Sequence, residues 1–548
     1  MKIANMKIRL DPEYRWAAFW AAVCSIVSSI PYLLAWSVTW GTGVYFVGLL
    51  HYPDDAYVYM SWMRQAAEGS ILLDNMFTTD PHPGRFFNLL FLVLGWFARA
   101  TGLSVLAVFH ISRVAFGICF LITTYALLRT LVHPLPARKV GYLLVCFSSG
   151  VGWLFARRVP NSPIDLWQTE AVSFLCVYQN PLFLAALTAM LLTFLFAFKG
   201  MESGKLRWWI AAGVSTGLLA NFHSYDVIQL LGTLTCYLIL RWFALKKPAP
   251  AELLGLAVVA VFSVPGVAYQ LWLYQTDPVF RARALVPTGS AHPIYVLLGY
   301  GFLVPLSVLG AVAMSRQADA SEQNTLRFLV AWSVIPILLS YIPVSFQRKI
   351  LMGAHIPISM LAGVGVEYIR GKSRLRTATA AWLAVLLTCP TNLRWMQQAV
   401  LNIQNNQTES GQRVFLTPQE MEALRWLNKN WRGSNLLAMP LVGVSGYAPA
   451  LAGCKVYAGH WGETPDFAQR LRATRRFYMP WTSNEWRLDL LSRARIRFVF
   501  VGPAEKALIR STAGHAEFRP PPFLKPVFRA GSGDSEVAVY QFNGIPKD

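Results

Sequence analysis

Charge is the first thing this sequence lacks. Only 14% of its 548 residues are charged, and Asp and Glu together number 28, whereas 55% are hydrophobic. Soluble domains carry about 25% charged residues, so a wholly soluble fold of this length is excluded. Paired cysteines are missing too. Cys24, Cys119, Cys146, Cys176, Cys236, Cys389 and Cys454 are scattered singly, with no spacing for a zinc site or a disulfide framework. Walker loops, GxSxG elbows and HExxH helices do not occur, and GVSGYAPA (443–450) is not a dinucleotide fingerprint. Internal repeats and low-complexity tracts are also lacking.

Long apolar runs are abundant instead. A bilayer core takes about 20 apolar residues as helix. On that basis the chain reads as a polytopic α-helical membrane protein with about eleven transmembrane helices. They fall near 16–37, 104–132, 140–156, 171–198, 207–222, 225–243, 251–275, 293–314, 327–344, 350–369 and 376–391. Segment 86–98 is apolar but short, and is expected to lie at the interface or re-enter. The first apolar run lacks a small-residue cleavage site and reads as a retained anchor.

The net charge is +21, but its distribution does not suit nucleic acid. Lys and Arg gather in short inter-span segments (1–15, 133–139, 199–206, 244–250, 315–326 and 370–375) by about two to one over the opposite side. That places the N-terminus in the cytoplasm. The first loop (38–103), the 157–170 and 276–292 loops, the 345–349 turn and the C-terminal part then share the outer side. The remaining cations are expected to face anionic lipid or phosphate. No organelle signal is evident, and the compact loops suit a bacterial inner membrane.

Residues 1–391 therefore read as a transmembrane module and 392–548 as a soluble, extracytoplasmic α/β domain. In the latter, Thr417, Pro418 and Glu420 open a helix over 416–430. Strands are expected at 435–440 and 496–503, helices at 464–478 (capped by Thr464) and 484–494 (capped by Asn484), and a final hairpin from PVFRAG and 536–542.

The first outer loop holds the most informative motif, PDDAYVY (53–59). Adjacent acids at a membrane surface repel and resist dehydration, so a partner is expected to offset that cost. A carboxylate there would take a proton from a hydroxyl or bind a metal. Alternatively, Asp54 or Asp55 caps the helix that follows, along which Tyr57, Met60, Met63 and Ala67 share a side. An aspartate-bearing first outer loop directly after the first span resembles the GT-C superfamily of integral membrane glycosyltransferases. The many spans and the outer C-terminal domain are similar as well. The resemblance implies a polyprenyl-phosphate sugar as donor and a first-loop acid as general base, or as metal ligand in the oligosaccharyltransferases. Their WWDYG signature is absent from the C-terminal segment, so transfer of a single hexose or pentose is expected rather than of an oligosaccharide to Asn. No cofactor is required on this reading, and no divalent metal is expected. With no nucleotide motif, a cytosolic nucleotide-sugar donor is not suggested.

Such a transfer needs a base near the acceptor hydroxyl, positive charge for the departing phosphate and a groove for the lipid tail. Asp54 is the expected base, with Asp55 second. Arg348 and Lys349, in VSFQRKI (344–350), are donor-phosphate candidates, Arg for its fork geometry; they read equally as snorkelling cations. Arg281 and Arg283 lie in a segment that would order over the donor, or form an ordinary solvated loop. His223 and Asp226 in NFHSYD, His82 and Arg85 in PHPGR, and His460 and Glu463 in YAGHWGETPD are substrate-binding candidates; each also reads as a structural turn or loop. Asp165 and Glu170 share the outer side without metal spacing. Arg113, near His110 in an apolar span, would either reach the substrate cavity or make a buried polar contact between helices, the latter being expected.

The expected partners are a polyprenyl-phosphate sugar, the bilayer and a glycan, lipid or protein acceptor. A transporter or lipid flippase is the competing class. It would need ionisable groups along several spans and often shows repeated halves, whereas the acids here gather on one outer face. A noncatalytic membrane scaffold is the third.

Overall fold

The computed structural model describes residues 11–316, 319–514 and 516–544. The expectations for residues 1–10 of the N-terminal segment and for 317–318 lie outside the described residues. The chain is mostly helical (66%), with a sheet towards its C-terminal end.

In chain order the helices of the apolar part are α1 (Pro12–Thr39), α2 (Pro53–Ala67), α3 (Leu89–Thr101), α4 (Val105–Leu131), α5 (Leu135–Phe147), α6 (Ser173–Gln179), α7 (Pro181–Ser203), α8 (Leu206–Phe222), α9 (Asp226–Leu245), α10 (Pro250–Thr276), α11 (Pro278–Leu285), α12 (Pro293–Tyr300), α13 (Leu303–Ser315), α14 (Ala320–Leu339), α15 (His355–Gly371), α16 (Thr377–Thr388) and α17 (Pro390–Asn405). Among the described residues, α1, α4, α7, α9, α10 and the segment Gln347–Gly371 are long and apolar enough to cross a bilayer. The pair α12 and α13 makes a seventh if counted as one span; it is bent by 78°.

Several expected spans are broken for local reasons. The run 171–198 splits at Asn180, whose extended backbone and side chain cap α7 through the Leu182 amide, with Pro181 at the first helical position. The run 140–156 ends at Phe147, because Ser148 is extended and a 3-10 turn follows at Gly152–Leu154. Segment 86–98 forms α3, capped by Asn88 and 13 residues long. That is shorter than the roughly 20 residues a span requires.

The chain divides into two compact units. The first comprises Met1–Ser29, His110–Tyr269 and Pro287–Gln397. Close helix packing marks it: a Cβ on Gly310 of α13 would stand 1.9 Å from the Leu361 carbonyl oxygen of α15, and one on Gly365 2.0 Å from that of Leu306. Small residues let apolar helices approach where lipid supplies no hydrophobic drive. Its buried core includes Leu144, Ile164, Trp167, Tyr300, Leu351 and Ile358. Buried Arg113 donates to the Val177 carbonyl at 2.8 Å and to Ser29 Oγ at 2.8 Å, an interhelical polar contact.

The second unit comprises Ile30–Phe109, Gln270–Val286 and Gln398–Asp548. It joins the segment that holds α2 and α3 to the C-terminal part. Strand β1 (Tyr45–Phe46) pairs antiparallel with β2 (Phe415–Leu416). The remaining strands, β3 (Asn435–Leu437), β4 (Lys455–Val456), β5 (Phe498–Val501), β6 (Leu524–Ala530) and β7 (Val537–Phe542), form a mixed sheet in the order β4-β3-β5-β7-β6. The expected hairpin is the β6–β7 pair. Helices α18 (Pro418–Asn430), α19 (Ala448–Leu451), α20 (Phe467–Tyr478), α21 (Asn484–Arg493) and α22 (Pro503–Ala513) complete the unit. Thr417 and Glu420 make the expected capping box on α18. Two caps differ from expectation. Ser483, not Asn484, caps α21 through the Trp486 amide. α20 begins at Phe467, after Asp466 in a left-handed conformation (φ 50°), because Thr464 is committed elsewhere.

Candidate functional site

Helix α2 begins with Pro53 at its first position, and Tyr52 before it is left-handed (φ 47°) with no side-chain cap. Neither aspartate therefore caps the helix. Both stand in the first turn, where the helix dipole favours carboxylates. Behind them α2 is fixed against α3, since a Cβ on Gly95 would meet the Met63 carbonyl oxygen at 2.4 Å.

Both carboxylates meet the loop before α20. Trp461 donates its indole N–H to Oδ2 of Asp54 at 3.1 Å. His460 Nε2 is 3.2 Å from Oδ1 of Asp55 and 3.9 Å from Oδ2 of Asp54. Its Nδ1 accepts from the Gly462 and Glu463 amides at 2.9 and 3.0 Å, which assigns the ring proton to Nε2, facing the acids. Thr464 ties the loop down, donating to the Phe77 carbonyl at 2.6 Å and accepting from the Gly459 and His460 amides.

The two acids differ in environment. The Asp54 side chain is 11% exposed and that of Asp55 54%. Burial raises the Asp54 pKa above the ordinary carboxylate range, the charge of Asp55 raises it further, and His460 and Gln412 oppose the shift. Oδ1 of Asp54 makes no hydrogen bond among the described residues. A largely buried carboxylate with one oxygen fixed and the other without a hydrogen bond among the described residues is suited to accept a proton.

The neighbouring cations of this unit are more committed. Residues 278–285 form α11 rather than a loop, capped by Asp277 through the Val279 and Phe280 amides. Arg283 pairs with Glu463 at 2.6 Å and lies 5.1 Å over the Trp62 ring. Arg281 donates to the carbonyls of Tyr274 and Gln275. His82 contacts Asp74 at 2.5 Å, Lys455 meets the other Asp74 oxygen at 2.6 Å, and the second His82 nitrogen faces the Asp80 carbonyl. Burial opposes the charged forms of both partners, yet their pairing keeps the His82 pKa raised and that of Asp74 lowered. Asn75 donates to the Glu463 carbonyl at 2.9 Å. Arg85 lies 5.9 Å over Trp272. Beside Trp461 a cleft of about 680 Å³ opens between α11 and the start of α20.

The first unit holds the other candidates, several of which lie against one another. His223 contacts Asp226 at 2.9 Å, and Gln229 bridges Asp226 and the Met352 carbonyl at 3.1 and 2.6 Å. Lys349 lies 4.6 Å over the Tyr225 ring, which in turn packs against His223 and Phe346. Arg348 lies 5.4 Å over Trp167 and 3.7 Å from Glu170, too long for a hydrogen bond, and its Nε makes none among the described residues. Asp165 is structural: Oδ2 accepts from the Gly150 and Gly152 amides, and burial raises its pKa to about 7 despite them. Among the described residues no three His, Cys, Asp or Glu side chains gather to hold a metal.

Three contributors escaped the sequence reading. Trp461 stood unremarked beside His460, although an exposed tryptophan in a Gly-flanked polar loop is a usable signal. Lys455 and Tyr225 carried no such signal, since each matters only through a partner brought by the fold.

Neither a protein-family model nor a curated protein matches the chain. Solved structures do. The archaeal oligosaccharyltransferase AglB from Archaeoglobus fulgidus, in complex with an inhibitory peptide and a dolichol-phosphate, is similar with a TM-score of 0.55 and 12% identity, over 97% of this chain and 75% of that one. The same organism's oligosaccharyltransferase tethered with an acceptor peptide containing the NVT sequon gives a TM-score of 0.54 at 13% identity, over 90% and 69%. The arabinofuranosyltransferase AftD from Mycobacteria gives 0.50 at 13% identity, over 96% of this chain but 40% of that one. At such identities the likeness is one of fold alone, the fold shared with these oligosaccharyltransferase and arabinofuranosyltransferase structures.

Proposed function

We propose that this GT-C-fold chain is a membrane glycosyltransferase that moves a single hexose or pentose from a polyprenyl-phosphate donor to an acceptor hydroxyl. The observation that carries the reading is Asp54. It is a dehydrated carboxylate with one oxygen held by Trp461 and the other without a hydrogen bond among the described residues. In the proposed step Asp54 accepts the hydroxyl proton as the acceptor oxygen attacks the anomeric carbon. The bond from that carbon to the phosphate oxygen breaks, and polyprenyl phosphate leaves. Asp55 and His460 hold the loop against α2. In the other unit, Arg348 and Lys349 are the proposed donor-phosphate ligands by residue type, being less committed to carboxylates than Arg283.

The remaining expectations join the proposal. About eleven helices span the membrane, residues 392–548 lie outside it, the reaction occurs on the outer face of a bacterial inner membrane, and no metal takes part. The arabinofuranosyltransferase and the dolichol-phosphate complex among the structural neighbours support lipid-linked sugar chemistry as a class.

The test uses purified protein with radiolabelled polyprenyl-phosphate hexoses and pentoses and membrane extract. The proposal predicts release of polyprenyl phosphate together with a labelled product. Translocation of intact donor across reconstituted vesicles, without cleavage, would instead make the chain a flippase.

A further inference from the structure

The cleft beside Trp461 is built like a carbohydrate site. One wall is the end of α11, with Leu285 and the following Val286; the other is Asp466 and the start of α20, which contributes Gln469 and Arg472, with Trp461 also in the lining. The Trp461 ring is covered on one side by His460, with ring centroids 5.7 Å apart and planes 22° from parallel. The residue is still 39% exposed and lines the cleft. That same ring donates its N–H to Asp54 at 3.1 Å.

A sugar ring has one face made of C–H bonds, which packs on an aromatic plane, and a rim of hydroxyls. Carboxylate, amide and guanidinium groups each present two coplanar hydrogen-bonding positions that match neighbouring hydroxyls. Asp466, Gln469 and Arg472 offer all three kinds and are exposed. Peptide recognition usually uses a strand edge or an apolar groove. The lining of this cleft contains no strand, and its apolar wall faces polar side chains.

We infer that this cleft is the acceptor site and that its occupant is a glycan. Trp461 is the platform for the acceptor sugar, and its bond to Asp54 sets the sugar hydroxyls beside the base. The inference rests on the glycosyltransferase reading for the chemistry, and names the acceptor class that the reading leaves open.

The experiment measures binding and turnover separately on the full-length protein in detergent. Short neutral hexose and pentose oligosaccharides, and peptides of similar length, are titrated by calorimetry against wild type, Ala468→Trp, which fills the cleft, and Arg472→Ala, an exposed change. Release of polyprenyl phosphate in the absence of acceptor is followed in parallel. Oligosaccharide binding that weakens at least tenfold in both variants is the expected result. Binding of peptides but not oligosaccharides, of neither, or of oligosaccharides equally by all three proteins would overturn it. Saccharide binding at the cleft without donor turnover in wild type would strike the transferase reading while leaving the glycan as the occupant.

Discussion

The indole N–H of Trp461 donates to Oδ2 of Asp54 at 3.1 Å across a sequence separation of 407 residues. That bond fixes one oxygen of a carboxylate at the start of α2, and it stabilises the charged form. Trp461→Phe keeps the ring and removes the donor. A hydrogen bond to a charged group contributes about 1.5–3 kcal/mol, so kcat should fall about 10–100-fold. The donor KM should change little. Steady-state kinetics with labelled donor would check this; unchanged kcat would remove the indole from the mechanism.

Burial and the adjacent charge of Asp55 hold the Asp54 pKa above its ordinary value. A base must be ionised to work. The acidic limb of the kcat/KM profile should therefore titrate above the roughly pH 4 of a free aspartate. A limb at or below that value would mean that another group limits the rate.

Arg348 lies over Trp167, and its Nε is without a hydrogen bond among the described residues. If it receives the leaving phosphate, Arg348→Ala should slow donor cleavage by about 10²-fold. Arg348→Lys should recover part of the loss, because charge survives while the two-pronged donor does not. Equal rates in all three would assign the residue to anchoring.

The His82–Asp74 pair answers to pH in a defined sense. Its raised His82 pKa gives a stabilisation that is complete below the pKa of free imidazole, about 6.5, and is lost as pH rises through the folded value. The lowered Asp74 pKa gives one present above about pH 4 and lost as pH falls through its folded value. Segment 74–82 should thus be best protected between about pH 4 and 6.5. Hydrogen exchange across this range would show it, and His82→Gln should flatten the high-pH loss.

Much of the architecture could be read from local pattern. Apolar runs marked the long helices, and Thr417 with Glu420 marked a helix start. The breaks were less visible. Hydropathy averages over Asn180, although Asn followed by Pro is a capping signal, and it cannot register the bend between Tyr300 and Leu303. At the site, PDD drew attention to Asp54 and Asp55 because adjacent acids demand a partner. Which acid is dehydrated depends on His460 and Trp461, some 400 residues away, and no local periodicity encodes that pairing. Arg283 reads from sequence as a loop cation because Asp277–Pro278 is a short cap signal inside a polar segment, and its partner Glu463 is 180 residues away.

The central claim is that Asp54, not Asp55, is the general base. The direct measurement compares kcat for transfer by wild type, Asp54→Asn and Asp55→Asn in protein whose folding is verified by thermal unfolding. Asp54→Asn is predicted to lose about 10²–10⁴-fold, while Asp55→Asn stays within about tenfold, since it touches the base only through charge and His460. An Asp54→Asn protein that transfers sugar at near wild-type rate would contradict the account.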